Sequence, residues 1–164
     1  MVYGWSADAY WIDIGTPERY LQGTFDILEG NVATSLAEPL EQARGTLTDG
    51  AEVRGRVVAP ALVGPGSTVA ESAIVGGRVV LGPGVAIGEG AHVESSVLLG
   101  GTTVGAGSVI SSSIVGGQCV IGEHCHVEHG VVLGERVRVG NRNVLTAGAK
   151  VSPGVVLPDG AIRF

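Results

Sequence analysis

A branched aliphatic residue recurs every six residues through the last two thirds of the chain. The spacing holds from position 63 to position 157, with a shift of one residue at two places. All 17 positions of the series are valine, leucine or isoleucine: Val63, Val69, Val75, Leu81, Ile87, Val93, Leu98, Val104, Ile110, Val115, Ile121, Val127, Leu133, Val139, Leu145, Val151 and Leu157. A period of six fits neither an α-helix, which repeats every 3.6 residues, nor a single hairpin. The pattern predicts a solenoid of short strands that share one core.

The other positions of the six-residue repeat support this interpretation. Glycine follows the aliphatic residue in nine repeats, and the position two before the next aliphatic is small or β-branched, with Asn143 as the exception. We predict one flat strand per repeat, a corner where glycine supplies unusual backbone angles, and a triangular coil of about 18 residues. The two shifts, within 94–101 and 111–118, are interpreted as shortened corners.

This repeat resembles the hexapeptide-repeat family, whose fold is the left-handed parallel β-helix. The resemblance implies an all-β fold class, and it also supplies the handedness, because parallel crossovers are normally right-handed. We expect the β-helix over 51–164, with about five to six coils. A triangular interior leaves no room for large aromatic side chains, in agreement with the lack of Phe, Tyr and Trp in 26–163.

The first 30 residues differ in composition and predict a strand followed by a helix. They contain six of the seven aromatic residues of the chain. Residues 11–14, Trp-Ile-Asp-Ile, favour an extended strand. Thr16 is a predicted N-cap, Pro17 suits the first helical position, and Gly30 suits the end of the helix.

Residues 31–50 separate these two kinds of sequence and are predicted to form a linker. The segment contains Pro39 and no sustained apolar face, and a short helical turn is possible around 40–43. The charge also changes here, because residues 1–44 hold seven acidic and two basic residues, whereas 45–164 hold nine and eight.

The segment YWIDIGTPERYL at 10–21, followed by a linker and six-residue repeats, is similar to the end of the catalytic domain in sugar-1-phosphate nucleotidyltransferases. Among these enzymes it most resembles the mannose-1-phosphate guanylyltransferase (GDP-mannose pyrophosphorylase) branch. In that family the aspartate of the W-x-D-[IV]-G-T-P motif holds the catalytic Mg²⁺ on the nucleotide and sugar phosphates. The resemblance therefore implies that Asp13 is a magnesium ligand and that Gly15 and Thr16 form the turn after it.

The chain departs from that family in two respects. The family begins with a Gly-rich phosphate-binding loop of the G-x-G-T-R-L kind and carries a second metal-binding aspartate upstream of the motif, and neither is found in this sequence. Phosphoryl transfer needs a phosphate cradle and a clamped metal, which one aspartate cannot supply. We therefore expect a chain that is inactive alone, with the nucleotide-sugar substrate bound only by a full-length parent and residues 1–30 as the end of its catalytic domain.

Histidines on the solenoid raise two alternative enzyme hypotheses. Hexapeptide acyltransferases use a histidine as general base with a CoA thioester, for which His124, His126 and His129 are weak candidates. The five-residue spacing of His124 and His129 also resembles the zinc site of γ-class carbonic anhydrases. The third zinc ligand would fall at Gly88 or Gly90, and His92 lies at a different position of the repeat. Exposed surface histidines remain the simplest interpretation.

Composition and charge exclude several classes of protein. The chain of 164 residues is 45% hydrophobic, has a net charge of −6 and contains no apolar run of bilayer length, so we expect a cytoplasmic protein without a membrane partner. The acidic balance gives no reason to expect nucleic acid. The two cysteines lie at the small inward position of the repeat and are predicted core residues. The basic residues of the last coils, Arg136, Arg138, Arg142 and Lys150, form either a solvated face or a contact with an anionic effector or partner subunit.

A solenoid also exposes flat faces and open strand edges, which another copy commonly covers. We therefore predict a homo-oligomer, a dimer or a trimer, formed through the β-helix. In the context of the resembled family, this predicts a C-terminal domain that serves assembly and regulation.

Overall fold

Residues 46–157 form a left-handed parallel β-helix with three sheets, which confirms the predicted fold class. A computed structural model describes Tyr3 and residues 9–163. Sheet A contains β1 (Thr46–Leu47), β4 (Ala61–Val63), β7 (Val79–Leu81), β10 (Val97–Leu98), β13 (Ile114–Val115), β16 (Val132–Leu133) and β19 (Lys150–Val151). Sheet B contains β2 (Glu52–Val53), β5 (Thr68–Val69), β8 (Ala86–Ile87), β11 (Thr103–Val104), β14 (Val120–Ile121), β17 (Arg138–Val139) and β20 (Val156–Leu157). Sheet C contains β3 (Arg56–Val58), β6 (Ile74–Gly76), β9 (His92–Glu94), β12 (Val109–Ser111), β15 (His126–Val127) and β18 (Val144–Leu145).

The strand register explains the two shifts in the repeat. Leu62 pairs with Val80, 18 residues later, whereas Val80 pairs with Val97 and Val97 with Ile114, each 17 residues later. Sheet A returns to a step of 18 at Val132. The shortened corners are therefore confirmed, and they keep every later aliphatic residue in phase with the core.

The inward side chains form one continuous core. Every aliphatic of the repeat from Val63 to Leu145 is less than 4% exposed, and only Val151 and Leu157 are partly exposed. Burying each such side chain contributes about 1.5 to 3 kcal/mol, and no single coil could do this alone.

The small inward position carries a hydrogen-bonding function that the periodicity did not predict. All of its polar side chains except Ser96, which donates to Glu94, donate to a carbonyl of the following coil, at 2.7 to 3.2 Å: Ser67 to Gly82, Thr102 to Gly116, Ser108 to Gly122, Ser113 to Val127, Cys119 to Gly134, Cys125 to Gly140 and Asn143 to Pro158. Asn143 is thus not an irregularity but a larger member of the same series. We call these contacts the forward ladder.

The recurrent glycine after the aliphatic residue has a different cause from the one we predicted. Eight of the nine glycines that follow the aliphatic, such as Gly64 and Gly105, do not have a positive φ, and Gly76, with φ +147°, is the exception. A Cβ at Gly64 would lie 2.7 Å from the carbonyl carbon of Gly82, and a Cβ at Gly105 would lie 2.5 Å from that of Gly122. Close approach of neighbouring coils therefore requires glycine there. The left-handed corner residue comes two positions later and is often not glycine, as at His124 and Arg142.

Helix α1 (Pro17–Leu28) confirms the predicted start and end signals. The Thr16 hydroxyl accepts a hydrogen bond from the Arg19 N–H at 3.3 Å, and Pro17 takes the first position. Gly30 has φ +79°, and the Gly30 and Asn31 N–H groups donate to Ile27 and Asp26. These two bonds form a Schellman motif.

The predicted strand before this helix is wrong, because residues 9–15 form no strand. Short extended segments gain stability only by pairing, and none of the described strands pairs with residues 9–15. The segment predicted as a linker contains helix α2 (Ala37–Gln42), which includes the possible turn around 40, and strand β1. The first paired strand thus lies five residues ahead of the expected boundary at 51.

Helix α1 lies along the outer face of sheet A. The Arg78 guanidinium is 5.0 Å from the centre of the Phe25 ring, and Leu21 and Phe25 line a cleft together with Ile114. The helix is about 18 Å long, which matches about four coils. None of the helices in residues 9–163 combines the length and the apolar character needed to span a bilayer.

Candidate functional site

Asp13 lies in a shallow cleft at the start of helix α1. The cleft has a volume of about 300 Å³ and is lined by Trp11, Ile12, Asp13, Gly15, Thr16 and Arg19. The Oδ1 atom of Asp13 accepts a hydrogen bond from the Gly15 N–H at 2.9 Å, so the carboxylate fixes the turn that the sequence placed at Gly15 and Thr16. Its second oxygen makes no hydrogen bond to the described part of the chain.

The extended segment is held against the outer side of α1 by two contacts. The Tyr10 hydroxyl donates to the Asp26 carboxylate, and the side chains of Ile12 and Ile14 lie over Gly23, where a Cβ would be 3.5 and 3.7 Å from them. The Tyr10 hydrogen bond, aided by Gln22, holds the pKa of Asp26 below its usual value. These contacts place Asp13 at the helix start even though no strand forms.

The described residues do not form a magnesium site by themselves. No group of three or more His, Cys, Asp or Glu side chains within 9–163 is arranged to hold a metal ion. Asp13 supplies one free carboxylate oxygen, and its charged neighbour in the cleft is Arg19, a cation. Mg²⁺ takes six oxygen ligands, so one carboxylate needs phosphate, water or other protein oxygens to complete the shell. The role of Asp13 as a magnesium ligand stays a prediction.

The candidate histidines do not converge. His126 points outward from β15, whereas His124 and His129 occupy left-handed corners at its two ends, with φ of 53° and 59°. His92 shares its register with His126, two coils away, and not with His124. His92 and His126 each lie near a glutamate, Glu94 at 3.6 Å and Glu128 at 3.4 Å. The acyltransferase and zinc hypotheses stay predictions, and no cluster among the described histidines favours either.

A second cleft, of about 380 Å³, lies between α1 and the β-helix. Its lining is mostly apolar and includes Leu21, Phe25, Ile114 and Val131, with His129 at its rim. At the start of the helix, the Glu18 N–H and the Thr16 hydroxyl hold the pKa of Glu18 below its usual value, and Lys150 adds a smaller effect. The helix therefore reaches the coil of Lys150 at one end and Arg78 at the other.

The two cysteines are buried, as predicted. Burial raises the pKa of the Cys119 and Cys125 thiols, and their sulfur atoms lie 3.0 Å from the Gly134 and Gly140 carbonyl oxygens. A thiol held neutral is a poor nucleophile and a poor metal ligand. Their function is structural, within the forward ladder.

The docking face for α1 is the feature that the sequence reasoning missed. On sheet A the outward residues in register are nearly all aliphatic: Leu47, Leu62, Val80, Val97, Ile114 and Val132. Sheet B instead carries Thr68, Ala86, Thr103, Val120 and Arg138 at the same position. Examining the residue before each aliphatic at every third repeat would have revealed this face.

Comparison with known proteins gives the following matches. A family model described as the GMPPB C-terminal domain matches residues 57–160. The mannose-1-phosphate guanylyltransferase of Mycobacterium tuberculosis (strain ATCC 25618 / H37Rv) is 37% identical over 163 residues, which cover 99% of this chain and 40% of that protein. Mannose-1-phosphate guanylyltransferase 1 of Arabidopsis thaliana is 32% identical over 168 residues, with the same two coverages. This chain thus spans about two fifths of the length of these relatives.

The solved structure of an Arabidopsis UDP-N-acetylglucosamine acyltransferase also matches. The match covers 67% of this chain and 60% of the acyltransferase chain, with a TM-score of 0.33 and 15% sequence identity. A similarity of this size carries no inference about activity.

Proposed function

Since this chain belongs to the family of GMPPB C-terminal domains, we propose that it works as the C-terminal domain of a mannose-1-phosphate guanylyltransferase. In this proposal the segment 10–16 and helix α1 dock against a nucleotidyltransferase domain, and the β-helix joins the subunits of an oligomer. The nucleotide and the sugar phosphate are bound by the docked domain, with Asp13 contributing one oxygen to its Mg²⁺.

The observation that carries this proposal is an apolar surface on the outer side of α1. Trp11 is 82% exposed and Ile14 57% exposed, and Tyr10 and Tyr20 line one cleft with Ile14. Exposed aromatic and aliphatic side chains in one patch commonly mark a protein contact. Trp11 lines the cleft of Asp13, and Ile14 and Tyr20 line a neighbouring cleft, so a domain that covers both would bring its own ligands to this carboxylate.

A chimera tests the docking. The segment of the Mycobacterium tuberculosis relative that aligns with this chain is replaced by this chain, and guanylyl transfer to mannose 1-phosphate is measured. We expect activity in the chimera, a loss of about tenfold or more in Trp11→Ser and Ile14→Ser, and little change in the matched surface variant Leu99→Ser, which is 43% exposed and lies outside sheets B and C. A folded chimera without activity, or equal activity in all variants, would contradict the proposal.

The same chimera separates the two roles of Asp13. Asp13→Asn keeps an oxygen that accepts from the Gly15 N–H but removes the charge that a metal needs. We expect Asp13→Asn to fold normally and to lose activity, with the loss partly recovered at high Mg²⁺ concentration. Full activity in Asp13→Asn would show that the carboxylate only fixes the turn.

Oligomer formation through the β-helix is supported by its two uncovered faces. Helix α1 covers sheet A, whereas sheets B and C expose aliphatic side chains such as Val120 (38%) and Ile74 (36%). Light scattering should give the mass of a dimer or trimer, and either Val120→Asp or Ile74→Asp should reduce it to one chain. Ser35→Asp, at an exposed residue ahead of α2 and outside sheets B and C, is the control and should keep the native mass. A mass of one chain at all concentrations would refute the assembly role.

A further inference from the structure

A histidine and a glutamate occur together twice on the outward face of sheet C. His92 and Glu94 lie two residues apart on β9, and His126 and Glu128 lie two residues apart at β15. Residues two apart along a strand point to the same side of the sheet. His92 and His126 both pair in register with Val109, so the two pairs lie two coils apart, or about 9.6 Å along the solenoid.

The atoms of each pair are spaced as two ligands of one metal ion. The His92 Nε2 lies 3.6 Å from the Glu94 Oε2, and the His126 Nδ1 lies 3.4 Å from the Glu128 Oε1. A close N–H···O hydrogen bond spans about 2.7 to 3.2 Å. Two ligands of a tetrahedral Zn²⁺, with bonds of about 2.0 to 2.2 Å, lie about 3.3 to 3.6 Å apart. Each pair therefore holds its nitrogen and oxygen at the distance that this ion requires.

These side chains are accessible from solvent. The His92 and His126 side chains are 43% and 47% exposed. The other two histidines, His124 and His129, lie at corners and have no described carboxylate within 4.0 Å. The pairing of histidine with glutamate is thus a property of sheet C and not of every histidine in the chain.

Each pair supplies two ligands, whereas a closed zinc site has four. Within residues 9–163 no third His, Cys, Asp or Glu side chain joins either pair to complete the set. The missing ligands must therefore come from outside the chain. Helix α1 covers sheet A, and the residues beside the histidines on sheet C are the aliphatic Ile74, Val109 and Val144. This face is open to a second protein surface.

A second copy of this chain carries the missing ligands in the right places. Half a turn about an axis parallel to the solenoid sets sheet C against sheet C, with every coil opposite itself. The row of histidines in one copy then faces the row of glutamates in the other, so the two faces are complementary in charge. Each pair meets the same pair of the second copy, which brings two imidazole nitrogens and two carboxylate oxygens to one point.

From this geometry we propose that sheet C is a metal-bridged contact between two copies of the chain. One divalent transition metal ion such as Zn²⁺ is held by His92 and Glu94 of both copies, and a second by His126 and Glu128 of both copies. Imidazole and carboxylate groups are established ligands of such ions. The inference rests on the proposed assembly and names the face and the ligand that join the subunits. It does not involve the cleft of Asp13.

Titration of the full chain with Zn²⁺, followed by calorimetry and light scattering, tests the contact. We expect saturation at one Zn²⁺ per chain, the mass of two chains with Zn²⁺, and the mass of one chain with EDTA. Mg²⁺ should not replace Zn²⁺, because it prefers oxygen ligands in an octahedral shell.

The double variant His92→Val with His126→Val removes both nitrogen ligands. Valine already occupies the neighbouring register positions Val109 and Val144, so the variant should fold. We expect Zn²⁺ binding to weaken more than about tenfold, because losing even an outer-shell partner has an effect of this size, and the mass to stay at one chain. Contact driven by apolar surface alone would instead be strengthened by valine. His124→Gly is the control, since glycine occupies the same corner at Gly107, and it should behave as the native chain does.

The bridge and the assembly fail in different ways. A dimer that persists with EDTA, or a trimer, would overturn the metal bridge and leave the proposed assembly standing. The mass of one chain under every condition would refute both. Absence of saturable Zn²⁺ binding, two ions bound per single chain, or equal weakening in His124→Gly would also overturn the bridge.

Discussion

Replacement of Asn143 tests the forward ladder at its most demanding position. The buried carboxamide donates to the carbonyl oxygens of Gly140 at 2.8 Å and Pro158 at 2.9 Å, and accepts from the Ile162 N–H at 2.8 Å. It therefore joins the coil of Asn143 to the segment that closes over it. We choose Asn143→Val, because valine occupies the equivalent position at Val131 and Val137.

The size of the effect follows from which groups lose their last partner. In Asn143→Val the Ile162 N–H is left without an acceptor, which costs about 1 to 3 kcal/mol. The Gly140 carbonyl keeps the Cys125 thiol at 3.0 Å, and the Pro158 carbonyl keeps the Ala161 N–H at 3.3 Å. Each of these weakened acceptors adds about 0.5 kcal/mol or more. We expect a total loss of about 2 to 4 kcal/mol.

Urea unfolding followed by circular dichroism measures this loss, and hydrogen exchange at the Ile162 amide shows whether it is local. We expect a lower unfolding midpoint and a faster-exchanging Ile162 N–H. Thr103→Ala, exposed and without a side-chain hydrogen bond in the described structure, should change stability by less than about 0.5 kcal/mol. An Asn143→Val protein as stable as the native chain would refute the argument, because valine preserves the packing and removes only the hydrogen bonds.

Three further predictions concern backbone approach, a carboxylate and the thiols. Gly76→Ala should cost more than about 3 kcal/mol, because its Cβ would lie 2.1 Å from the Val58 carbonyl oxygen and its φ is +147°. Neighbouring Gly77→Ala, which has a positive φ of +66° but open space, should cost about 1 kcal/mol, and equal urea midpoints for the two variants would contradict this. The carboxylate pKa of Asp26 lies below its usual value, so the contact with Tyr10 should persist above about pH 3.9 and be lost as the pH falls through the lowered pKa. Tyr10→Phe should therefore raise the midpoint of the Asp26 carboxyl NMR titration, and an unchanged midpoint would contradict the assigned cause. Burial raises the pKa of both cysteine thiols, so their contribution to the free energy of unfolding should be complete below about pH 8.5 and decline at higher pH. Urea midpoints measured from about pH 7 to about pH 10 should therefore fall, and constant midpoints would contradict this.

The parts of the fold that depend on local repetition were predictable from the sequence. The six-residue period fixed the core positions from Val63 to Leu145, and the signals at Thr16, Pro17 and Gly30 fixed helix α1. Each of these features depends on neighbouring residues or on a repeated environment, so a pattern in the chain is sufficient to reveal it.

The parts that depend on distant contacts were not predictable in the same way. The strand expected at 11–14 does not form, because strand propensity alone does not replace a pairing partner. The spacing of glycines such as Gly105 was recognised, but its cause lies in the approach of the next coil.

The forward ladder gives the solenoid a polarity. Each donor reaches toward the carboxyl-terminal neighbour, as from Ser108 to Gly122 and from Cys125 to Gly140. The same hydroxyls also accept from that neighbour, because the buried Val85 and Cys125 N–H groups donate to Ser67 and Ser108 at 3.0 and 2.9 Å. Shortening the protein from its amino-terminal side therefore strands backbone N–H groups, and shortening it from the other side strands hydroxyl, thiol or amide donors. Deletion of a whole coil thus leaves unpaired buried donors on the cut surface at either end, so we expect neither end to tolerate truncation freely.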